Sequence, residues 1–318
     1  MTNSVSGLRV FTKAILDAKP WRKDPLAIRK EWSWKEYALS DHGEGGTLCF
    51  AIMWDNGVVK PHPPLTRAMQ MTKRALEAAG HKGDHHQPID ATVPGRNADC
   101  DPFFTLVIDW EPHRHLDIYR NAEGIFAADD GHDYLTACAL SGEPLMQTMS
   151  PTTDAHEYAL DEPFARTIVG ERRHLSAFEL WQFHQEKRAL RKSHLDYWEA
   201  TVSRTGTGRP VDAIISPAAA YTACPHGCNS DAFYTTLCNA LDYTSSVFPV
   251  TFADAELDKA QPPHQFRNHE DEAIYKLYDA QLFHGLPVGL QLIGRTLEEE
   301  AVIAMTDIVD RALKPMRQ

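Results

Sequence analysis

The chain has 318 residues, of which 43% are hydrophobic and 24% charged, and its formal net charge is −12 at pH 7. That apolar fraction supports a sizeable core, and the length admits one large domain or two ordinary ones. The acidic balance excludes an electrostatic grip on nucleic acid or anionic lipid, both of which need a basic face.

The first segment, Val5 to Ala18, reads as a helix with Leu8, Phe11 and Ile15 at helical spacing, stopped by Lys19-Pro20-Trp21. Arg9, Lys13 and Asp17 interrupt it, so it lacks the unbroken apolar core of a secretion signal. Thr47 to Trp54 is a continuous apolar run, the pattern of a strand covered on both faces. Pro63 and Pro64 then start a helix whose inward stripe is Leu65, Met69, Thr72, Leu76 and Ala79, with Gly80 as its stop.

Residues 83–106 break this alternation. They are polar, Pro-bearing and aperiodic, and they separate Ala79-Gly-His-Lys82 from the strand-like Val107-Ile-Asp-Trp110. Two readings stand side by side: a true surface loop, which a fold tolerates at modest entropic cost, or a translated intron.

A helix follows over Asp117 to Ala128, and Gly170 to Thr205 holds the longest one. Ser176 and Glu179 form a capping box, and Phe178, Trp181, Ala189 and Trp198 are its expected inward stripe. Val211 to Ser216 reads as a strand, Ala232 to Leu241 as a short helix, and Ser246 to Thr251 as a strand. Pro249 removes a ladder donor and so assigns that strand to an edge or terminus. Asp271 to Phe283 reads as one helix, with Ile274, Leu277, Tyr278 and Leu282 on one face. Val288 to Ile293 is an apolar strand, and Thr296 with Glu299 caps a last helix packing through Ala301, Met305, Ile308, Val309 and Ala312. Strands and helices alternate nearly one for one, which signals an α/β sandwich with a parallel or mixed sheet.

The stretches Asp55-Asn-Gly-Val-Val-Lys-Pro-His-Pro-Pro64, Val211-Asp-Ala-Ile-Ile-Ser-Pro217, Pro225-His-Gly227, Asn239-Ala-Leu-Asp-Tyr243 with Val247-Phe-Pro-Val-Thr251, and Leu286-Pro-Val-Gly-Leu-Gln-Leu-Ile-Gly294 occur in this order. Together they resemble the C-terminal part of the amidase signature family, most closely its fungal acetamidase-type members. The resemblance covers nearly the whole chain, 1–318, apart from the inserted segment, and implies the C-terminal portion of a mixed-sheet α/β/α sandwich. It also implies hydrolysis of carboxylic amides by a nucleophilic serine, a second serine in a cis peptide and a neutral lysine. Gly-rich backbone there supplies oxyanion donors worth about 3 to 4 kcal/mol each.

That machinery is expected to lie outside this chain. Gly43-Glu-Gly-Gly-Thr47 has glycines but no serine, Gly206-Thr-Gly208 is a turn, and Ser4 and Ser6 read as helix-start residues. No catalytic residue of the family transfers to any position here. What the resemblance does transfer is a substrate-pocket wall on two loops: Tyr221, His226 and Asn229, and Tyr243, Phe248 and Pro249. The alternative reading of those loops is sheet packing.

Other constellations carry less. Cys224-Pro-His-Gly-Cys228 lacks the second ligand pair of a structural zinc site. His81, His85 and His86, and likewise His113 and His115, read as solvated, and Asp129-Asp130 with His132 reads as a polar turn. A nucleophilic role for Cys224 or Cys228 lacks an orienting third group. Trp21, Trp54, Trp110, Trp181 and Trp198 read as core anchors. No metal and no cofactor are expected.

The scattered six cysteines and the lack of a long apolar run suit a reducing, cytoplasmic setting without a membrane span. The expectation is therefore an amidase-family protein that is inactive alone. It would act on a small amide only when complemented by an N-terminal-half partner; a miscalled gene start would restore the same half in one longer chain. The alternative is a non-enzymatic scaffold that pairs with another chain or as a homo-oligomer.

Overall fold

The computed structural model describes residues 2, 4–43, 46–80, 105–143, 175–224 and 233–317. Strands β1 (Leu48–Ile52), β2 (Thr105–Asp109), β3 (Ala213–Pro217), β4 (Ser245–Phe252) and β5 (Pro287–Ile293) form one sheet in the order β2-β1-β3-β5-β4. The pairs β1/β2 and β1/β3 are parallel, while β3/β5 and β5/β4 are antiparallel. The mixed α/β class read from the alternation is the one observed.

Period-two alternation divides β1 between two cores. Leu48, Phe50 and Ile52 face one hydrophobic cluster, and Cys49, Ala51 and Met53 face the other. The first cluster is closed by α1 (Val5–Asp17), α2 (Trp34–Tyr37), α3 (Pro63–Gly80) and α11 (Glu299–Leu313). The second is closed by α4 (His115–Phe126), α6 (Ala177–Ala200), α8 (Thr236–Leu241), α9 (His269–Leu277) and α10 (Ala280–Phe283). Helix α5 (His132–Ser141) buries no residue, and α7 (Val202–Thr205) continues α6 toward β3.

Several local readings agree with the structure. Ser4 caps α1 by accepting the Gly7 N–H, and the Ser176/Glu179 capping box opens α6. Leu65, Met69, Thr72 and Leu76 are buried along α3. Pro249 lies in edge strand β4, where the register with β5 shifts between Pro249 and Thr251, as a missing ladder donor requires.

Other readings are corrected. On α6, Phe178, Trp181 and Ala189 are exposed, and the inward stripe is Leu190, His194 and Trp198. Gly124 on α4 sets this choice. A Cβ there would meet the Phe183 ring at 2.4 Å, so the missing side chain lets the two helices close on that side. Phe11 and Ile15 of α1 are also exposed. The helix expected over 271–283 is two, because Tyr278 is extended and Asp279 caps a new turn; Phe283 is then buried and Leu282 is not. Thr296 does not cap α11, whose N-cap position is Glu298 without a side-chain cap bond. Strand β2 begins at Thr105, inside the segment read as inserted; the rest of that segment, 83–104, lies outside the described residues.

Among the described residues no helix is long and apolar enough to cross a membrane.

Candidate functional site

Strand order fixes where a site is to be sought. From β1 the chain passes through α3 on one face to β2, then through α4 to α6 on the other face to β3 on the far side of β1. The direction of winding therefore reverses beside β1, and the loops leaving the carboxyl ends of β1 and β3 part there. These loops are 53–62 and 218–224.

The first loop is built by its own side chains. Asp55 Oδ1 accepts the Gly57 N–H, and Gly57 sits at φ +73°, a left-handed conformation that favours glycine. Asn56 Oδ1 accepts the N–H groups of Val58 and Val59. Asp271, fully buried at the start of α9, accepts the Lys60 N–H at 2.8 Å, the Arg267 N–H and a bond from His264. Arg267 pairs with Asp55 at 2.9 Å. The tip of the loop is thus tied to the α9 N-terminus by charge-assisted bonds.

His62 closes the loop against β3. Its backbone N–H donates to Ala220 O at 2.8 Å, and its Nε2 donates to Ile274 O at 2.7 Å. A backbone carbonyl only accepts, so Nε2 carries the proton and Nδ1 keeps its lone pair. Nδ1 is buried without a partner. Tyr278, Phe283 and Tyr221 surround the ring at 4.9, 5.3 and 6.2 Å between centroids. Burial lowers the imidazole to about 4, so it is neutral at pH 7.

A second set of buried imidazoles centres on His115 and His194, whose rings lie 6.1 Å apart. His115 Nδ1 donates to Asn56 O, and His194 Nδ1 bonds the Tyr243 hydroxyl at 3.0 Å. Their Nε2 atoms, Trp110 Nε1 and Asn56 Nδ2 are all buried without partners. Burial lowers His115 to about 4; burial and the two neighbouring imidazoles lower His194 to about 3. His115 is thus a core residue rather than the solvated one expected from sequence. Among the described residues no group of three His, Cys, Asp or Glu side chains is arranged to hold a metal ion.

Three arrangements invite a nucleophilic reading, and each lacks a required part. His113 Nε2 lies 2.8 Å from Ser193 Oγ, a pair that sequence spacing gave no sign of. Ser193 is inside α6, where backbone N–H groups are committed to the helix ladder and none is free to serve an oxyanion. His42 Nδ1 and Asp212 Oδ1 form a buried pair at 2.9 Å, and Asp212 Oδ2 accepts the Cys49 N–H at 2.7 Å. Burial, then the Asp212 charge, push the Cys49 thiol up to about 12, which removes the thiolate. The trio clasps the start of β1 to the entry of β3. His62 has a free lone pair but no hydroxyl or thiol hydrogen-bonded to it.

The six expected pocket-wall residues do not form one surface among the described residues. Tyr221 packs in the second hydrophobic cluster and Tyr243 against it, whereas Phe248 belongs to the first cluster, across the sheet. Pro249 is exposed on the edge strand. Phe248 and Pro249 line a cleft of about 650 Å3 between α1, α11 and β4. His226 and Asn229 lie outside the described residues, as do Cys228 and His81, His85 and His86. Asp129 accepts the N–H groups of Gly131 and Asp133, the polar turn expected of it.

The comparisons with known proteins agree with one another. The family model described as Amidase matches residues 103–303. An acetamidase of Aspergillus oryzae is 30% identical over 314 residues, covering 98% of this chain and 50% of the relative. An acetamidase of Emericella nidulans is 29% identical with the same coverage of each. The chain thus spans about half the length of these curated relatives. A solved structure of fatty acid amide hydrolase matches with a TM-score of 0.72 at 23% identity, covering 98% of this chain and 47% of that one.

Proposed function

Because the chain belongs to the Amidase family, we propose that it forms the supporting half of a carboxylic amide hydrolase and turns over amide only when the catalytic half is present. One observation carries this reading. Among the described residues no serine hydroxyl is hydrogen-bonded to a lysine amine, and the groups nearest to such a pair lack an oxyanion cradle or a free nucleophile. The full sequence likewise holds no serine within a glycine-rich run of the Gly-Gly-Ser-Ser-Gly-Gly type. A serine needs both a proton acceptor and preorganised N–H donors to attack an amide.

The family and the acetamidase relatives point to small amides as substrate class. The chain's own share is structural: loops 53–62 and 218–224, held by Asp271 and His62, would form the floor beneath a pocket completed by the other half. Tyr221, His226, Asn229, Tyr243, Phe248 and Pro249 remain the proposed substrate-pocket wall. The segment read as 83–106, less Thr105 and Leu106, which pair with β1, is proposed as an insertion outside the machinery.

Purified chain incubated with acetamide is expected to release no ammonia above background. Turnover that is blocked by a serine-directed covalent probe, with the label on this chain, overturns the reading. A non-enzymatic scaffold is the second reading, favoured by the β4 edge, which pairs with no further strand among the described residues. It differs in one outcome, pairing without turnover after the catalytic half is added.

A further inference from the structure

We propose that Asn56, Trp110, His115 and His194 enclose a binding site for one water molecule, which joins loop 53–62 to α4 and α6. The site stands whether or not the chain is the supporting half of a hydrolase.

None of the four residues is more than 6% exposed, and each keeps one buried polar atom without a protein partner: Asn56 Nδ2, Trp110 Nε1, His115 Nε2 and His194 Nε2. They share one neighbourhood. His115 Nδ1 lies 3.1 Å from Asn56 O, the His115 and His194 rings are 6.1 Å apart, and the His194 and Trp110 rings are 5.7 Å apart. Two hydrogen bonds of about 2.8 Å placed end to end span the space between the imidazoles.

What each atom offers is set by the rest of its side chain. Asn56 Oδ1 accepts the N–H groups of Val58 and Val59, so the other arm is the amide nitrogen and donates. The Trp110 indole nitrogen only donates. Burial keeps both imidazoles neutral, and His115 Nδ1 donates to the Asn56 carbonyl, so His115 Nε2 holds a lone pair and accepts. His194 Nδ1 bonds the Tyr243 hydroxyl, which can donate or accept.

The occupant must therefore accept from Trp110 and Asn56 and donate to His115. Water has two lone pairs and two protons, and it holds about three such bonds when buried. Its second proton goes to His194 Nε2, which places the His194 proton on Nδ1, donating to the Tyr243 oxygen. A metal cation would face two N–H groups, a chloride would face two lone pairs, and ammonia has a single lone pair for two donors. Asn56 shapes the turn of loop 53–62, so the water fastens that loop to the α4–α6 layer, as Asp271 fastens it to α9.

The test is a high-resolution crystal structure of the full chain, with NMR of the isotope-labelled histidines and indoles. One density peak within hydrogen-bonding distance of all four atoms is expected, without anomalous scattering. Both imidazoles should carry the proton on Nδ1, and the Trp110 indole proton should show a cross-peak to water. Trp110→Phe removes one donor and keeps an aromatic ring. It should speed exchange of the Val58 and Val59 amides about fivefold, the scale of one lost buried hydrogen bond, without speeding the α11 amides. Trp32→Phe removes a buried indole N–H in the other core and should leave the Val58 and Val59 amides unchanged. An empty site, or a direct protein bond to any of the four atoms, overturns the proposal. An anomalous peak overturns water as the occupant, and a proton on His194 Nε2 overturns the pattern of donors and acceptors. Unchanged exchange in a folded W110F overturns the link to the loop; if W110F does not fold, the wild-type density and tautomers decide.

Discussion

Lowering the pH from 7.5 to 5.0 should destabilise this protein through three buried imidazoles. His62 and His115 are held neutral with pKa values of about 4, and His194 with one of about 3, against an ordinary value of 6.5. In the unfolded chain each binds its proton near pH 6.5, so below that pH the unfolded state carries more protons than the folded one. The stabilisation is complete above pH 6.5, falls as the pH drops, and levels off only below the folded pKa values. At pH 5.0 the gap is 1.5 units for each residue, or about 2 kcal/mol apiece at about 1.4 kcal/mol per unit. The three together remove about 6 kcal/mol, a large share of the roughly 5 to 15 kcal/mol that holds a domain folded. With a urea dependence of about 3 kcal/mol/M, the midpoint should fall by about 2 M. Trp110 packs against both His194 and Trp198 and reports the transition by fluorescence. His194→Phe keeps ring contacts but cannot titrate, and should reduce the acid loss by about a third whatever its own stability. A midpoint independent of pH, or a variant with the full wild-type pH dependence, refutes the argument.

Other expectations rest on single contacts. Arg67 binds the buried carboxylate of Asp258 through Nε at 2.6 Å and Nη2 at 2.8 Å, so Arg67→Ala strands that charge and should cost about 3 kcal/mol in chemical denaturation. Gly124→Ala drives a methyl into the Phe183 ring and should cost about 1 to 3 kcal/mol, a loss that Phe183→Ala in the same chain reduces. Ser176→Ala removes the α6 capping box and should cost about 1 kcal/mol by the same measurement. Thr296→Ala should change stability by less than about 0.5 kcal/mol, because Thr296 is not the cap of α11.

What the sequence determined by itself is local or collinear. The continuous apolar run from Leu48 to Met53 shows a strand buried on both faces, the Ser176/Glu179 spacing sets a helix start, and Pro249 marks an edge strand, because each signal acts within a few residues of itself. The order of motifs from Asp55 to Gly294 likewise placed the chain among the amidases before any contact was known. Tertiary structure decided everything that depends on which neighbour arrives. Phe178 and Trp181 are as apolar as Leu190 and Trp198, yet only the second pair is buried, because α4 meets α6 on the side where Gly124 lets it close. The His42–Asp212 clasp and the His113–Ser193 pair join residues 170 and 80 positions apart, so no local window contains them. Tyr221 and Phe248, read as one wall, are parted by the sheet, since β3 and β4 are separated by β5 and their side chains leave opposite faces. Burial, not residue type, made His62, His115 and His194 neutral, and burial is a property of the packed chain.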